Sequence, residues 1–343
     1  MGTDEPSVFE ITADYQETKL DEYEREFDRW IAEPAKILWS DYRGRFGILL
    51  ITVYILMGTV GVVVLPEPRP NMGPRLQAPF QDIEFLLGTD GMGQGLLSLM
   101  VHSTPPMFQM ILAGAVFGNL MGVTVGLFAG YLSGTTDKVL MTIVDVTMAI
   151  PAIPLLIILV TILEPTNPYL IGVVLALPAW AGGARSIRAQ VFPLRDEEHV
   201  EAAKAYGQPM SSLLVKDILP HLLPLIFIGF LGGATGIIFA SVGLYFLGLL
   251  PFDDQNWGVV LQMAYAAGGA LYTIEAAHWI IVPLITITGL TVATTLLAQA
   301  FDQVFNPRVR ARHRKRKMSG DEMVEEGQDQ THASAQQTTR GTI

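Results

Sequence analysis

The stretch FGILLITVYILMGTVGVVVL, Phe46 to Leu65, decides the fold class: it runs for twenty residues without a charged side chain. At 1.5 Å per helical residue that length crosses a hydrocarbon core of roughly 30 Å. In lipid each backbone N–H and C=O must be paired inside its own segment, so such a run has to be helical. Further apolar runs follow at 106–132, 139–163, 169–184, 222–250 and 279–301, of which 169–184 is the shortest. The expectation is an all-α polytopic membrane protein with six transmembrane helices. Composition agrees: 50% of the residues are hydrophobic and 16% charged, against about 25% charged in an ordinary soluble domain.

Three regions follow: an acidic N-terminal arm (1–45), a membrane domain (46–307) and a basic, then disordered, tail (308–343). No apolar stretch of signal-peptide length precedes Phe46, so the first span is expected to act as an uncleaved anchor. The outer segments 66–105, 164–168 and 251–278 hold only Arg69 and Arg75. The other twenty Lys and Arg residues fall before the first span, at Lys138, between Arg185 and Lys216, and in the tail. Basic residues concentrate on the cytoplasmic side of membrane proteins, so both termini and the 185–221 segment are expected inside the cell membrane. Net charge is nevertheless −11, and residues 1–41 carry twelve Asp or Glu. That excess reads either as a halophile's hydrated surface or as an acidic disordered arm. The basic run 308–317 suits anionic headgroups or the topology signal alone.

The 185–221 segment, expected to be the charged loop between the fourth and fifth spans, contains Glu201-Ala202-Ala203-Lys204-Ala205-Tyr206-Gly207, with Leu219-Pro220 following. Two alanines make a thin, helix-favouring face able to enter a groove, and Gly207 can end the helix and turn the chain. Glu201 near the helix start complements the dipole. This spacing resembles the EAA motif of the membrane subunits of ABC importers, in which the loop helix docks into an ATPase partner. The similarity covers about residues 40–312 and is strongest to the dipeptide, oligopeptide and nickel permeases of the second-subunit type. It rests also on Leu87-Gly88-Thr89-Asp90 with Gly93, Ala129-Gly130-Tyr131 with Asp137, and Asp145 with Ala149-Ile150-Pro151. Leu194-Arg195-Asp196-Glu197, Phe246-Leu247-Gly248-Leu249, Trp257-Gly258 and Asn306-Pro307-Arg308 complete it. Gln94-Gly95 stands where the family usually has Arg-Asp, and the segment before Trp257 is not the family's proline-rich version. Both departures lie on the outer side and bear on receptor contact and substrate class.

The resemblance implies the type I importer arrangement, with Glu201, Ala202, Ala203, Gly207, Leu219 and Pro220 as the ATPase-coupling set. It implies two ATP-binding subunits, a sister permease, an extracytoplasmic solute-binding protein and a lipid bilayer as partners, and no nucleic acid. The cargo would be a di- or oligopeptide, or a related solute such as a sugar or a nickel chelate. No Gly-Lys pair exists, so no phosphate-binding loop of the Gly-x4-Gly-Lys-Ser/Thr kind is present. The chain is therefore expected to be a translocation subunit with no catalytic residue and no cofactor of its own, ATP being bound by a partner. No metal-ligand pattern stands in the spans, and there is no cysteine.

Asp145 is the one carboxylate well inside an expected span. It reads as a structural polar contact or as a proton-coupling group. The second reading defines the alternative, an ion-gradient-driven secondary transporter. A receptor or assembly protein is a third class that no residue supports. Gly114, Gly118, Gly122, Gly126 and Gly130 step by four and read as a packing stripe. Gly229, Gly232, Gly233 and Gly236 form a less regular one.

Overall fold

The computed structural model describes residues 38–250, 256–267 and 269–305. Most of the acidic arm, the basic run 308–317 and the rest of the tail lie outside the described residues. Among the described residues there is no β-strand. Four helices are long and apolar enough to cross a membrane, and six if each of two bent pairs counts as one span.

The first span is α1 (Tyr42–Val64), opened by Asp41, whose side chain accepts from the Arg43 N–H. The second joins α2 (Leu96–His102) to α3 (Thr104–Leu132) and begins ten residues earlier than the run at 106 suggests. The third is broken: α4 (Gly134–Ala149) and α5 (Ala152–Leu163) meet at 89°. Pro151 lacks an N–H to continue the ladder and pushes Ile150 into extended backbone (φ −77°, ψ 125°). The fourth, α6 (Pro168–Ala176) and α7 (Trp180–Leu194), bends by 57° around Pro178. A short helix α8 (Glu198–Ala205) follows. The fifth span, α9 (Met210–Phe246), starts with a π-turn at Leu213–Ile218. After α10 (Trp257–Ala266) comes the sixth, α11 (His278–Phe305).

The 185–221 segment is therefore not one loop. Helix α7 carries Arg185 and Arg188 as far as Leu194, and α9 begins at Met210. The positive side chains obscured this in the sequence because they lower the hydropathy along the second half of α7.

Helix α3 is the centre of the bundle and packs on α6, α7 and α9, while α11 packs on α1 and α9. Its glycine stripe is what lets it approach α6 and α7. A Cβ on Gly114 would lie 2.5 Å from the Gly172 carbonyl oxygen. Gly118 faces Ala176, Gly122 the Trp180 carbonyl, Gly126 the Ala184 carbonyl, and Gly130 Val191 and the Arg188 carbonyl. The partners advance by four as the glycines do, so the helices run parallel in register, as a second and fourth span must. Small residues trade side-chain volume for backbone contact, the usual source of helix affinity in lipid.

The end of the bundle where α1 and α2 meet α10 is sealed around Trp257, fully buried, whose Nε1–H donates to the Met100 carbonyl at 3.1 Å. Tyr54 stands beside it and donates to the Thr286 carbonyl at 2.6 Å. The preceding segment folds onto this end through Asp90, whose Oδ1 accepts the N–H groups of Met92 and Gln94 at 2.8 Å each. Gly88 and Gly93 supply the positive φ values of that turn. Gln94 takes part in this turn through its backbone N–H and carbonyl, both bonded to Asp90.

Candidate functional site

Helix α8 carries the Glu-Ala-Ala motif. Glu198 and Glu201 sit in its first turn and Lys204 in its last, each matched to the dipole. Its C-terminus closes as a Schellman motif: Gly207 N–H donates to the Lys204 carbonyl at 3.0 Å and Gln208 N–H to Ala203 at 3.2 Å. That closure needs a left-handed residue, and Gly207 has φ +77°. Val200 points inward and is fully buried, whereas Glu201, Ala202 and Tyr206 are exposed and Ala203 is half-buried. One face of the helix is thus anchored and the other left open.

Contacts on two sides hold α8 in place. Lys204 Nζ donates to the Arg195 carbonyl at 3.0 Å and lies 5.3 Å from the centre of the Tyr131 ring. On the other side, the His199 and His221 rings are 5.8 Å apart, which joins α8 to the start of α9. Leu219 and Pro220 follow the π-turn directly and are half-buried, between the fully buried Ile218 and Leu222. Those two pack with Leu127, Ile187 and Val191 in a small core between α3, α7 and α9. The structure thus brings Glu201, Ala202, Ala203 and Gly207 together on α8 and places Leu219-Pro220 at the root of the neighbouring span.

Asp145 is elsewhere. It stands exposed on α4 and pairs with Arg185 of α7. About two turns nearer the α3–α4 turn, Arg188 grips Asp137 with two bonds, Nε to Oδ1 and Nη2 to Oδ2, both 2.5 Å. Sequence reasoning assigned Arg185 and Arg188 to a loop and missed both pairs. The available signal was the spacing 185, 188, 192, 195, a single face of a helix.

A cavity of about 460 Å³ lies between α3, α5, α7 and α9. Ala152, just past the first helix break, and Pro178 to Trp180, at the second, both line it. Broken helices at membrane depth are tolerated where they border such a space. The glycines of α9 are on the same wall. Gly232 and Gly236 have nothing within 4 Å of a built Cβ, and Gly229 faces the Asn119 Oδ1 at 3.1 Å. Gly232 and Gly236 thus leave the cavity open, whereas Gly229 and Gly233 approach Asn119 and Ala115 of α3. Among the described residues no group of three or more His, Cys, Asp or Glu is placed to hold a metal ion.

Residues 122–311, more than half of the chain, match the family described as binding-protein-dependent transport system inner membrane component. The chain belongs to this family. Inner membrane components similar to it include the dipeptide transport system permease protein DppC of Bacillus subtilis, 27% identical over 77% of this chain and 81% of that protein. The oligopeptide transport system permease protein OppC of Haemophilus influenzae is 25% identical over 78% of this chain and 90% of its own length. The DppC of Alkalihalophilus pseudofirmus is 28% identical over 77% and 86%. The match begins within α3 and takes in α8, both bent spans and the part of the cavity wall from Gly122 onward.

Proposed function

We propose that this chain is one of two permease subunits of an ATP-driven importer of di- or oligopeptides, delivering solute from an external binding protein. Its helix α8 is read as the docking point for an ATPase, with Glu201, Ala202, Ala203 and Gly207 as the contact set and Leu219-Pro220 as the hinge into α9. A sister permease would close the open side of the cavity, and two ATP-binding subunits would drive the pair. Both termini and α8 are read as cytoplasmic, in a multi-pass cell-membrane protein.

The observation that carries this reading is the split character of α8. One face is anchored by Val200 and Lys204 and the other is bare. Six spans would place it on the same side as both chain ends, where the basic residues gather. Family membership and the names of the relatives supply the transport class and the peptide cargo. The pairing of Asp145 with Arg185 favours a structural role for that carboxylate over proton coupling.

The test is uptake of a labelled dipeptide and a labelled pentapeptide into vesicles holding the chain with its ATPases, sister permease and binding protein. ATP-dependent uptake that persists with an uncoupler supports the reading. Uptake that collapses with the proton gradient while ATP is held constant supports the secondary-transporter alternative.

A further inference from the structure

Arg185, Arg188 and Phe192 on one face of α7, with Arg195 at its C-cap, join the loop helix to the broken third span. Lys204 of α8 holds the Arg195 carbonyl, and the Arg195 side chain donates to the Gly130 carbonyl at 3.2 Å. The Arg195 guanidinium lies 4.4 Å from the centre of the Phe192 ring, and the Arg188 guanidinium 4.7 Å from the same ring. Arg188 then takes both carboxylate oxygens of Asp137. The row continues to Arg185 and Asp145.

Asp137 is well placed to receive a push. It sits in the first turn of α4, where the helix dipole favours an anion. Its side chain is only 13% exposed and that of Arg188 29%, so water screens the pair little. The two bonds also fix the angle between the groups, which a single bond would not. Helix α4 leads straight into the 89° break and on to Ala152 and Leu156, which line the cavity.

We propose that Arg188 and Asp137 are positioning residues that carry a displacement of α8 into the broken span, so that the cavity wall responds to the ATPase. The inference rests on the reading of α8 as the ATPase contact. In this linkage α7 acts as a rod, Phe192 as the packed joint between its two guanidiniums, and the 137–188 pair as the tie to α4. Cutting the tie leaves the motor docked but disconnects it from the cavity.

The test uses the complete transporter in vesicles, with ATP hydrolysis and peptide uptake measured on the same preparation. Arg188→Gln and Asp137→Asn should each retain the ATPase and its stimulation by the binding protein while uptake falls about tenfold, a loss of coupling between two sites. The chain has no cysteine, so a second variant, Asp137→Cys with Arg188→Cys, allows the tie to be rebuilt. Treatment with a short bifunctional thiol cross-linker should restore uptake, and a monofunctional reagent should not. The proposal is overturned if the single variants transport normally, if hydrolysis and uptake fall in parallel, if cross-linking restores nothing, or if every variant fails to insert. An unaltered transporter without ATP-dependent uptake would instead refute the proposed function.

Discussion

Gly126 of α3 lies against the main-chain oxygen of Ala184 of α7, so close that no Cβ fits between them. The obstacle is backbone, which cannot rotate away as a side chain can. Gly126→Leu is expected to lower stability by more than the ~1–3 kcal/mol typical of overpacking a core. Thermal unfolding in detergent checks this. Gly232→Ala meets nothing within 4 Å and should leave the melting temperature unchanged while narrowing the cavity and slowing uptake.

Gly207 has open space around it, so a substitution there acts through backbone conformation and not through a clash. A β-branched residue held at φ +77° pays roughly 1–2 kcal/mol, enough to open the Schellman closure. Glu201→Ala removes an exposed anion from the first turn of α8. The double variant Glu201→Ala with Gly207→Val is expected to insert normally yet lose both ATPase copurification and uptake. Gly207→Asn, which tolerates left-handed backbone, should retain most of both. Normal transport by the double variant would remove α8 from the coupling path.

Sidedness can be read with two cysteines in this cysteine-free chain. Ile274 and Tyr206 are 96% and 88% exposed, and six spans place them on opposite sides. An impermeant maleimide on intact cells should label Ile274→Cys alone. Labelling of Tyr206→Cys instead would invert the topology.

Removing the Asp145 carboxylate leaves Arg185 without its anion at membrane depth. Asp145→Asn is expected to reduce the yield of assembled protein by about twofold or more, since an unpaired charge in a span is costly. Uptake by the surviving protein should remain insensitive to an uncoupler. A variant with full assembly and abolished transport would point to a direct role in translocation.

Burial holds the Asp90 carboxyl above its ordinary range, against the opposing pull of the Gln94 and Met92 N–H groups. A carboxyl raised on folding contributes stability that is fully present below its ordinary, unfolded-state pKa and is lost as pH rises from there through the raised one. The segment 66–95 should therefore resist proteolysis better at the acid side of that shift than above it. Asp90→Asn keeps an acceptor, removes the charge and should flatten the dependence. An unchanged pH profile in the variant would mean that Asp90 is not its source.

The sequence by itself determined what local pattern can encode. Runs such as Phe46–Leu65 fix helical spans because lipid leaves the backbone no other partner. The four-residue step of Gly114 to Gly130 marks a smooth face, and Glu201 to Gly207 contains the charges and the turn residue that build α8. Pro151 announces a break because its missing N–H and its effect on Ile150 are local too. Partnership is not local. The sequence could not say that Gly126 meets Ala184 while Gly232 faces a cavity, because both are glycines in apolar helices and differ only in what stands opposite. Nor could it bring Arg188 to Asp137, because falling hydropathy looks the same at the end of a span and along a charged helical face. Only the tertiary structure decided these, by the angle at which the broken helices cross and the register at which α3 and α7 lock.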